Sequence, residues 1–408
     1  MPISTRKGRP VARILVHALA VTSRGGAAYC RRLVSHCSRG LRQHDWLLLL
    51  PSGVNIAFPR LGDNVSILHD QPSNDAIRGS YTDHHRVQRL IAEEGIDVIV
   101  SPCDFGVLQP PVPQLLVSRN ALYFSIEHVR QLRRRCEIKA LLNVVMRQKL
   151  ALSSIRASDQ VVVPSNAMRD DILAWNSVLA PDRFHVIRPG LTPPATDPKL
   201  SAEIRSSLDT RPCVRRILLP GAYHYGRNVE VMLRAIGLLG TEHSEPIELI
   251  LTTKLGVGVR NEEQDSTAAA RLIQEWGLAD HVTMLGKVSR NDLDALCRLA
   301  DVVVCPSYVE SAGTGMIEAM KCGRPIVASD LPIHRETCQG GAIYAPPFHP
   351  QSFANAIKTI LDDASLGQEL GKEGLERAKA FRWSAHFRDL SGILQDMIDE
   401  AARSPKVA

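Results

Sequence analysis

Short apolar runs separated by stretches of helical composition recur along this 408-residue chain, and the pattern stops and then starts again near its middle. In the first half the runs are residues 13–21, 46–50 (WLLLL), 65–69, 96–100 (IDVIV), 115–117 and 161–164, with helices expected over 27–37, 84–94, 127–156 and 166–175. In the second half they are 216–220 (RILLP), 247–252 (IELILT), 282–285, 301–305, 325–328 and 342–344. A strand that is apolar without alternation has both faces buried. Helices must therefore cover both sides of its sheet, which is the parallel, doubly wound α/β arrangement. A hydrophobic content of 44% over this length supports two such cores. Between the two halves, 188–212 is rich in proline and polar residues, so an N-terminal domain over 1–195, a linker over 196–212 and a second domain from 213 are expected.

The segment 307–330 reads SYVESAGTGMIEAMKCGRPIVASD. It follows an apolar strand, passes through small residues and enters a helix, so its loop offers free backbone N–H groups at a positive helix end, where a phosphate is favoured. Gly313 and Gly315 let the backbone come close to such a ligand. Glu310 stands before this seat and Glu318 about one turn into the helix, eight positions apart. Two carboxylates that flank a phosphate accept hydrogen bonds from hydroxyls, which suits a phosphate with sugars on both sides.

Other candidates lie where strands end. Gly25 and Gly26, within Thr22 to Tyr29, form a glycine pair between the first strand and a helix, and either an anion loop or a plain tight turn fits them. Arg227 and Asn228 precede an amphipathic helix containing Val231, Met232, Ala235 and Ile236; Lys287 follows the run at 282–285; Arg119 and Asn120 follow the run at 115–117, with Glu127 and His128 downstream. Arginine is not a base at neutral pH, so Arg119 is expected to position an anion, and a cap for the next helix is the structural alternative for this pair.

The glutamate spacing resembles the E-x7-E signature of retaining GT-B glycosyltransferases of the family 4 type (glycosyl transferases group 1). The glycine pair at 25, VVVPS at 161, HVIRPG at 185, the Arg-Asn at 227 and LADHVTMLGKV fit the same pattern. The resemblance implies a GT-B fold, two Rossmann-like doubly wound parallel-sheet domains facing a central cleft, with a final helix over 383–408 crossing back to the N-terminal domain and the second domain ending at 382. It implies that Glu310 faces the donor sugar, Glu318 the ribose, Gly313, Thr314 and Gly315 the diphosphate, and Gly25 and Gly26 the diphosphate from the first domain. Arg227 then neutralises the leaving group, Lys287 lies beside the base, and Arg119 and Asn120 lie near the acceptor. The expected reaction is transfer of a hexosyl unit from a nucleoside-diphosphate sugar to a hydroxyl of a glycan or lipid-linked acceptor, with retention, no metal and no further cofactor. A catalytically silent nucleotide-binding or partner subunit is the main alternative, supported by Ala312 and Arg119, which depart from the family pattern; a nucleoside-diphosphate-sugar epimerase is another. A dehydrogenase lacks its fingerprint, since neither G-x-G-x-x-G nor a P-loop occurs.

Net charge is +6, and residues 130–149 hold seven basic residues against one acid, Glu137. A single amphipathic helix fits this segment, either as a solvated surface helix or as a patch for anionic lipid head groups. Nucleic acid is not expected, because no aromatic residues interleave the charges. Nine cysteines in no paired motif suit reduced thiols, and no apolar run reaches 18 residues. The N-terminal stretch is expected to be a first strand and not a signal peptide. The expected location is cytoplasmic, with peripheral attachment to the inner face of the membrane. Asp292-Leu293-Asp294 matches a metal-holding D-x-D, but its surroundings suit a helix start with Leu293, Leu296 and Leu299 as a buried stripe.

Overall fold

A computed structural model describes residues 5–6, 9–21, 24–52, 58, 61–70, 76–176, 178–208, 210–261 and 264–403. The chain divides into two compact units, one made of residues 1–124, 143–190 and 383–408, the other of 125–142 and 191–382.

The first unit is built on seven parallel strands: β1 (Arg13–His17), β2 (Asp45–Pro51), β3 (Val65–Asp70), β4 (Val98–Ser101), β5 (Gln114–Val117), β6 (Gln160–Val163) and β7 (Phe184–Val186). Their order is β3-β2-β1-β4-β5-β6-β7. Ile14, Leu15 and Val16 are wholly buried and every residue from Trp46 to Leu50 is nearly so, as strands covered on both faces require. One face packs on Tyr29, Cys30, Leu33, Val34 and Cys37 of helix Arg24–Gly40 and on the last helix, Trp383–Arg403. That last helix presents Phe387, Leu390, Leu394, Met397 and Ile398, spaced three and four apart, so its apolar stripe lies on this unit. The other face carries Val87 and Ile91 of helix Ala76–Glu94.

The second unit has six parallel strands: β8 (Arg215–Leu219), β9 (Ile247–Leu251), β10 (Val282–Met284), β11 (Val302–Cys305), β12 (Ile326–Ser329) and β13 (Ala342–Ala345), ordered β10-β9-β8-β11-β12-β13. Both sheets are therefore doubly wound, and in each the carboxyl ends of all strands open on one edge.

Three sequence expectations change. Residues 125–142, placed with the N-terminal domain, belong to the second unit. Helix Ile126–Arg134 begins at Ser125, whose hydroxyl accepts from the His128 N–H at 3.1 Å. The continuous helix expected over 127–156 is broken by Cys136, which lies in the left-handed region at φ 55°, before helix Ile138–Ala157 starts. Arg135, counted in the basic patch, is withdrawn from it: its guanidinium donates to Glu230 at 2.9 Å and lies 4.4 Å over the Tyr225 ring, while Glu137 accepts from the Tyr225 hydroxyl.

The second change concerns the linker, which is docked. Lys321 Nζ donates to Leu191 O at 2.8 Å, the Ala195 N–H donates to Asp294 at 3.0 Å, the Ser201 N–H to Asp292 at 2.8 Å, and Arg298 to Ala195 O at 2.8 Å. Both D-x-D carboxylates thus hold backbone, and Ser289 caps helix Arg290–Leu299 through the Asp292 N–H at 3.1 Å. The third change is Leu299, expected in the buried stripe but 37% exposed; Leu296 is fully buried as expected, and Cys297 is buried beside it.

Candidate functional site

In the second unit, β11 runs into a loop that ends at Gly313, the N-cap of helix Thr314–Lys321. Gly313 has φ 63° and ψ 40°, a left-handed backbone that selects glycine, and the tip of the Met316 side chain lies against it, with Cε 2.3 Å from where a methyl group would stand. N–H groups of the first helical turn have no intrahelical carbonyl partner, and helix starts of this kind favour an anion. At Gly315 a methyl group would come within 3.4 Å of Pro220 Cγ and 4.0 Å of Arg227 Nη1, so the guanidinium stands beside the helix start.

Arg227 follows β8, within the turn Tyr225–Arg227. Its Nη1 is 3.5 Å from Glu310 Oε2, with both side chains largely buried. The guanidinium lies across Gly221, whose φ is 109°; a methyl group there would be 2.8 Å from Nη2. Gly221 itself is fixed through its N–H, which donates to Thr252 Oγ1 at 2.7 Å. Glu318, one turn into the helix, is paired through Oε1 with Arg290, whose Nε reaches Asp294 at 3.1 Å. Burial pushes the Glu318 carboxyl above its ordinary range, against the pull of Arg290. Burial also raises the Cys305 thiol, at the end of β11, to about 12, with Arg227 opposing and Glu310 and Glu318 adding to the rise. All three charges therefore surround one strand end. Lys287 is exposed in the loop after β10.

In the first unit, Gly25 and Gly26 lie inside the first turn of helix Arg24–Gly40 and not in a turn ahead of it; Thr22 and Ser23 lie outside the described residues. Gly25 is exposed, with open space around it. After β5, Asp104 accepts from Ser118 Oγ at 3.1 Å, Arg119 N–H at 2.7 Å and Asn120 N–H at 2.9 Å. Asn120 caps the turn Ala121–Tyr123 through Leu122 N–H at 3.2 Å, the structural alternative raised for it. Arg119 lies 4.1 Å over the Tyr29 ring. The Tyr29 hydroxyl donates to His386 Nε2 at 2.9 Å, because Nδ1 of that ring donates to Arg188 O at 2.9 Å. Burial brings the His386 pKa down to about 4, so the ring is neutral.

The structure thus gathers Arg227, Glu310, Gly313, Thr314, Gly315 and Glu318 around the ends of β8 and β11. Sequence reasoning missed Arg290, which adjoins the D-x-D that was weighed only for its carboxylates, and Gly221, whose signal is a lone glycine directly after an apolar run.

Residues 202–377 match the family model described as glycosyl transferases group 1. Among curated proteins, D-inositol 3-phosphate glycosyltransferase of Paenarthrobacter aurescens is 30% identical over 204 residues, 50% of this chain and 49% of that protein. The chain thus spans about half the length of this curated relative. Among solved structures, sucrose-phosphate synthase from Thermosynechococcus elongatus aligns with a TM-score of 0.74 at 19% identity, over 96% of this chain and all of that one. The Anabaena HepE protein in complex with UDP gives 0.64 at 17% identity, over 95% of this chain and all of that one. Residues 202–377 therefore match the glycosyl transferases group 1 family, within a chain that has the GT-B fold of two Rossmann-like units.

Proposed function

We propose that the protein is a retaining glycosyltransferase that moves a hexosyl unit from a nucleoside-diphosphate sugar to a hydroxyl of a glycan or lipid-linked acceptor. The observation that carries this is the convergence of Arg227, the start of helix Thr314–Lys321 and Glu310, with the Arg227–Glu310 pair at 3.5 Å. A diphosphate placed on that helix end gains the amides and the guanidinium together, in a half-buried setting where charge is poorly screened. Glu310 accepts hydroxyls of the donor sugar. Glu318, one oxygen of which holds Arg290, offers the other to the ribose. As the anomeric C–O bond to the diphosphate breaks, negative charge grows on the leaving oxygen next to Arg227, and that is where electrostatic help lowers the barrier. The acceptor oxygen forms the new bond on the same face, and its proton passes to the departing diphosphate. In this scheme the guanidinium and amides do the work a metal ion would do, and no cofactor beyond the donor is used.

Arg119 supplies the positive charge at the ends of the first unit's strands, which suits an acceptor bearing a phosphate; the inositol 3-phosphate named for the curated relative is of that class. For the membrane, helix Ile138–Ala157 exposes Ile138, Leu142 and Met146 four residues apart, with Lys139 and Lys149 also exposed and Arg133 and Arg134 just before it. That face fits an anionic lipid surface at the inner side of the cytoplasmic membrane. Among the described residues no helix is long and apolar enough to cross a membrane.

The test is product analysis with a panel of nucleotide sugars and hydroxyl acceptors, reading the anomeric configuration by NMR. Transfer with retention, cut at least about a hundredfold in Glu310→Ala, is expected. Inverted product, or nucleotide binding without transfer or donor hydrolysis, would contradict the proposal. Release from anionic vesicles by salt, and weaker binding after Arg133→Glu with Arg134→Glu, checks the surface; absence of vesicle binding at low salt removes it.

A further inference from the structure

Arg227 and Glu310 sit on two separate loops, and Asn228, the residue after Arg227, is bonded to the loop that leads to Glu310. Its backbone is left-handed at φ 56° and ψ 43°, a conformation asparagine tolerates better than most side chains, and it is buried. Its Nδ2 donates to Pro306 O at 3.1 Å and to Pro347 O, so both amide hydrogens are spent on carbonyls of other loops. Pro306 follows β11 and stands four residues before Glu310; Pro347 follows β13. Next to this, the Tyr308 N–H donates to Gly226 O at 3.0 Å. The loop carrying Glu310 is thus fastened to the turn carrying Arg227 at two adjacent points, Pro306 to Asn228 and Tyr308 to Gly226. One buried amide holds three strand-end loops in register.

We propose that Asn228 is a positioning residue of the diphosphate site: its amide sets the Arg227–Glu310 separation, and loss of its two donated bonds weakens diphosphate binding and turnover through Arg227. This rests on the diphosphate site proposed above. The residue touches no reacting atom in that scheme and acts through its neighbour. Glycine and aspartate separate the amide's role from that of the backbone, since glycine accepts the left-handed conformation but has no donor, and aspartate keeps the side-chain shape while turning oxygens toward two carbonyls.

The experiment is calorimetric titration of UDP, GDP and ADP into wild type, Asn228→Gly and Arg227→Ala, with the double variant completing a cycle and with thermal unfolding run in parallel. Asn228→Gly is expected to bind the diphosphate that wild type selects about tenfold more weakly, and Arg227→Ala to cost less in its presence than in its absence. Asn228→Asp, used as well where the glycine variant is too unstable to titrate, is expected to bind more weakly still at neutral pH. It should recover relative to wild type as the pH is lowered and its carboxyl gains a proton to donate. Binding by Asn228→Gly within twofold of wild type, additive losses in the cycle, or an aspartate variant whose deficit does not change with pH would overturn the inference. If wild type binds none of the three, the site reading fails, and Asn228 is not what failed.

Discussion

At the scale of single residues, the site depends on a few positions where only one side chain fits. Gly221 has a backbone that L-residues rarely adopt, and it leaves room for the Arg227 guanidinium. Gly221→Ala is therefore expected to cost about 1–3 kcal/mol of stability and to push Arg227 off its seat, weakening nucleoside-diphosphate binding about tenfold; denaturant unfolding and titration measure the two effects, and a variant neutral in both contradicts this role. Glu318 gives a pH signature. It is an acid whose carboxyl is raised above its ordinary range by burial, so its charged form is present at high pH and is lost, as pH falls, sooner than for a free glutamate. Ribose binding through the carboxylate should accordingly weaken as pH falls through that raised value, and Glu318→Gln should bind more weakly at neutral pH with a flatter profile. Parallel profiles for the two proteins would remove Glu318 from the ribose. The pair of glutamates was legible because spacing on a loop–helix unit fixes where side chains stand. Arg290 was not, since nothing in a sequence announces which arginine will pair with a buried carboxylate 28 residues away.

Whole elements show where local pattern misleads. Apolar runs gave all six strands of the second sheet and six of the seven in the first, because a strand buried on both faces has few other places to go; the short edge strand β7 (Phe184–Val186) carries no such run. The basic segment was read as one helix since composition favours it throughout; Cys136 ends the first helix in a left-handed conformation that a non-glycine side chain does not advertise. The break allows Arg135 to reach Glu230, whose side chain is only 7% exposed. Removing Arg135 leaves that carboxylate buried without its cation, and Arg135→Ala is expected to destabilise the protein by about 3 kcal/mol. Faster cleavage by protease near residues 125–142 should accompany the loss. Unchanged stability with unchanged cleavage would show that the segment is held by its apolar contacts alone. The proline-rich stretch was read as a linker, and Asp292 and Asp294 take its N–H groups; composition reports what cannot be helix or strand, not what a distant carboxylate will hold.

For the molecule as a whole, the last helix completes the core of the first unit, burying Phe387, Leu390 and Leu394 against it. A chain cut before Trp383 should lose the cooperative unfolding of that unit and bind a hydrophobic dye; an unchanged melting profile would contradict the packing. His128 and His386 are both held by burial at about 4, below the ordinary 6.5. Their folded pKa values are depressed, so an unfolded chain binds protons that the folded one refuses. Stability is full above about 6.5 and falls as pH drops from there toward 4. Denaturant unfolding at pH 7.5, about 6 and about 5 should show this slope, and a flat response would mean that these rings are not neutral in the fold. The two-unit architecture was visible in the restart of the apolar rhythm, whereas the unit boundaries at 124 and 142 were not, because they depend on contacts made far along the chain.

The proposed function stands or falls on whether the end of β11 and the start of its following helix seat a diphosphate beside Arg227. Calorimetric titration with UDP, GDP and ADP in the presence of a metal chelator tests it most directly. One of the three should bind at a single site, with affinity at least about tenfold weaker in Arg227→Ala; binding of none, or equal binding by wild type and Arg227→Ala, would contradict it.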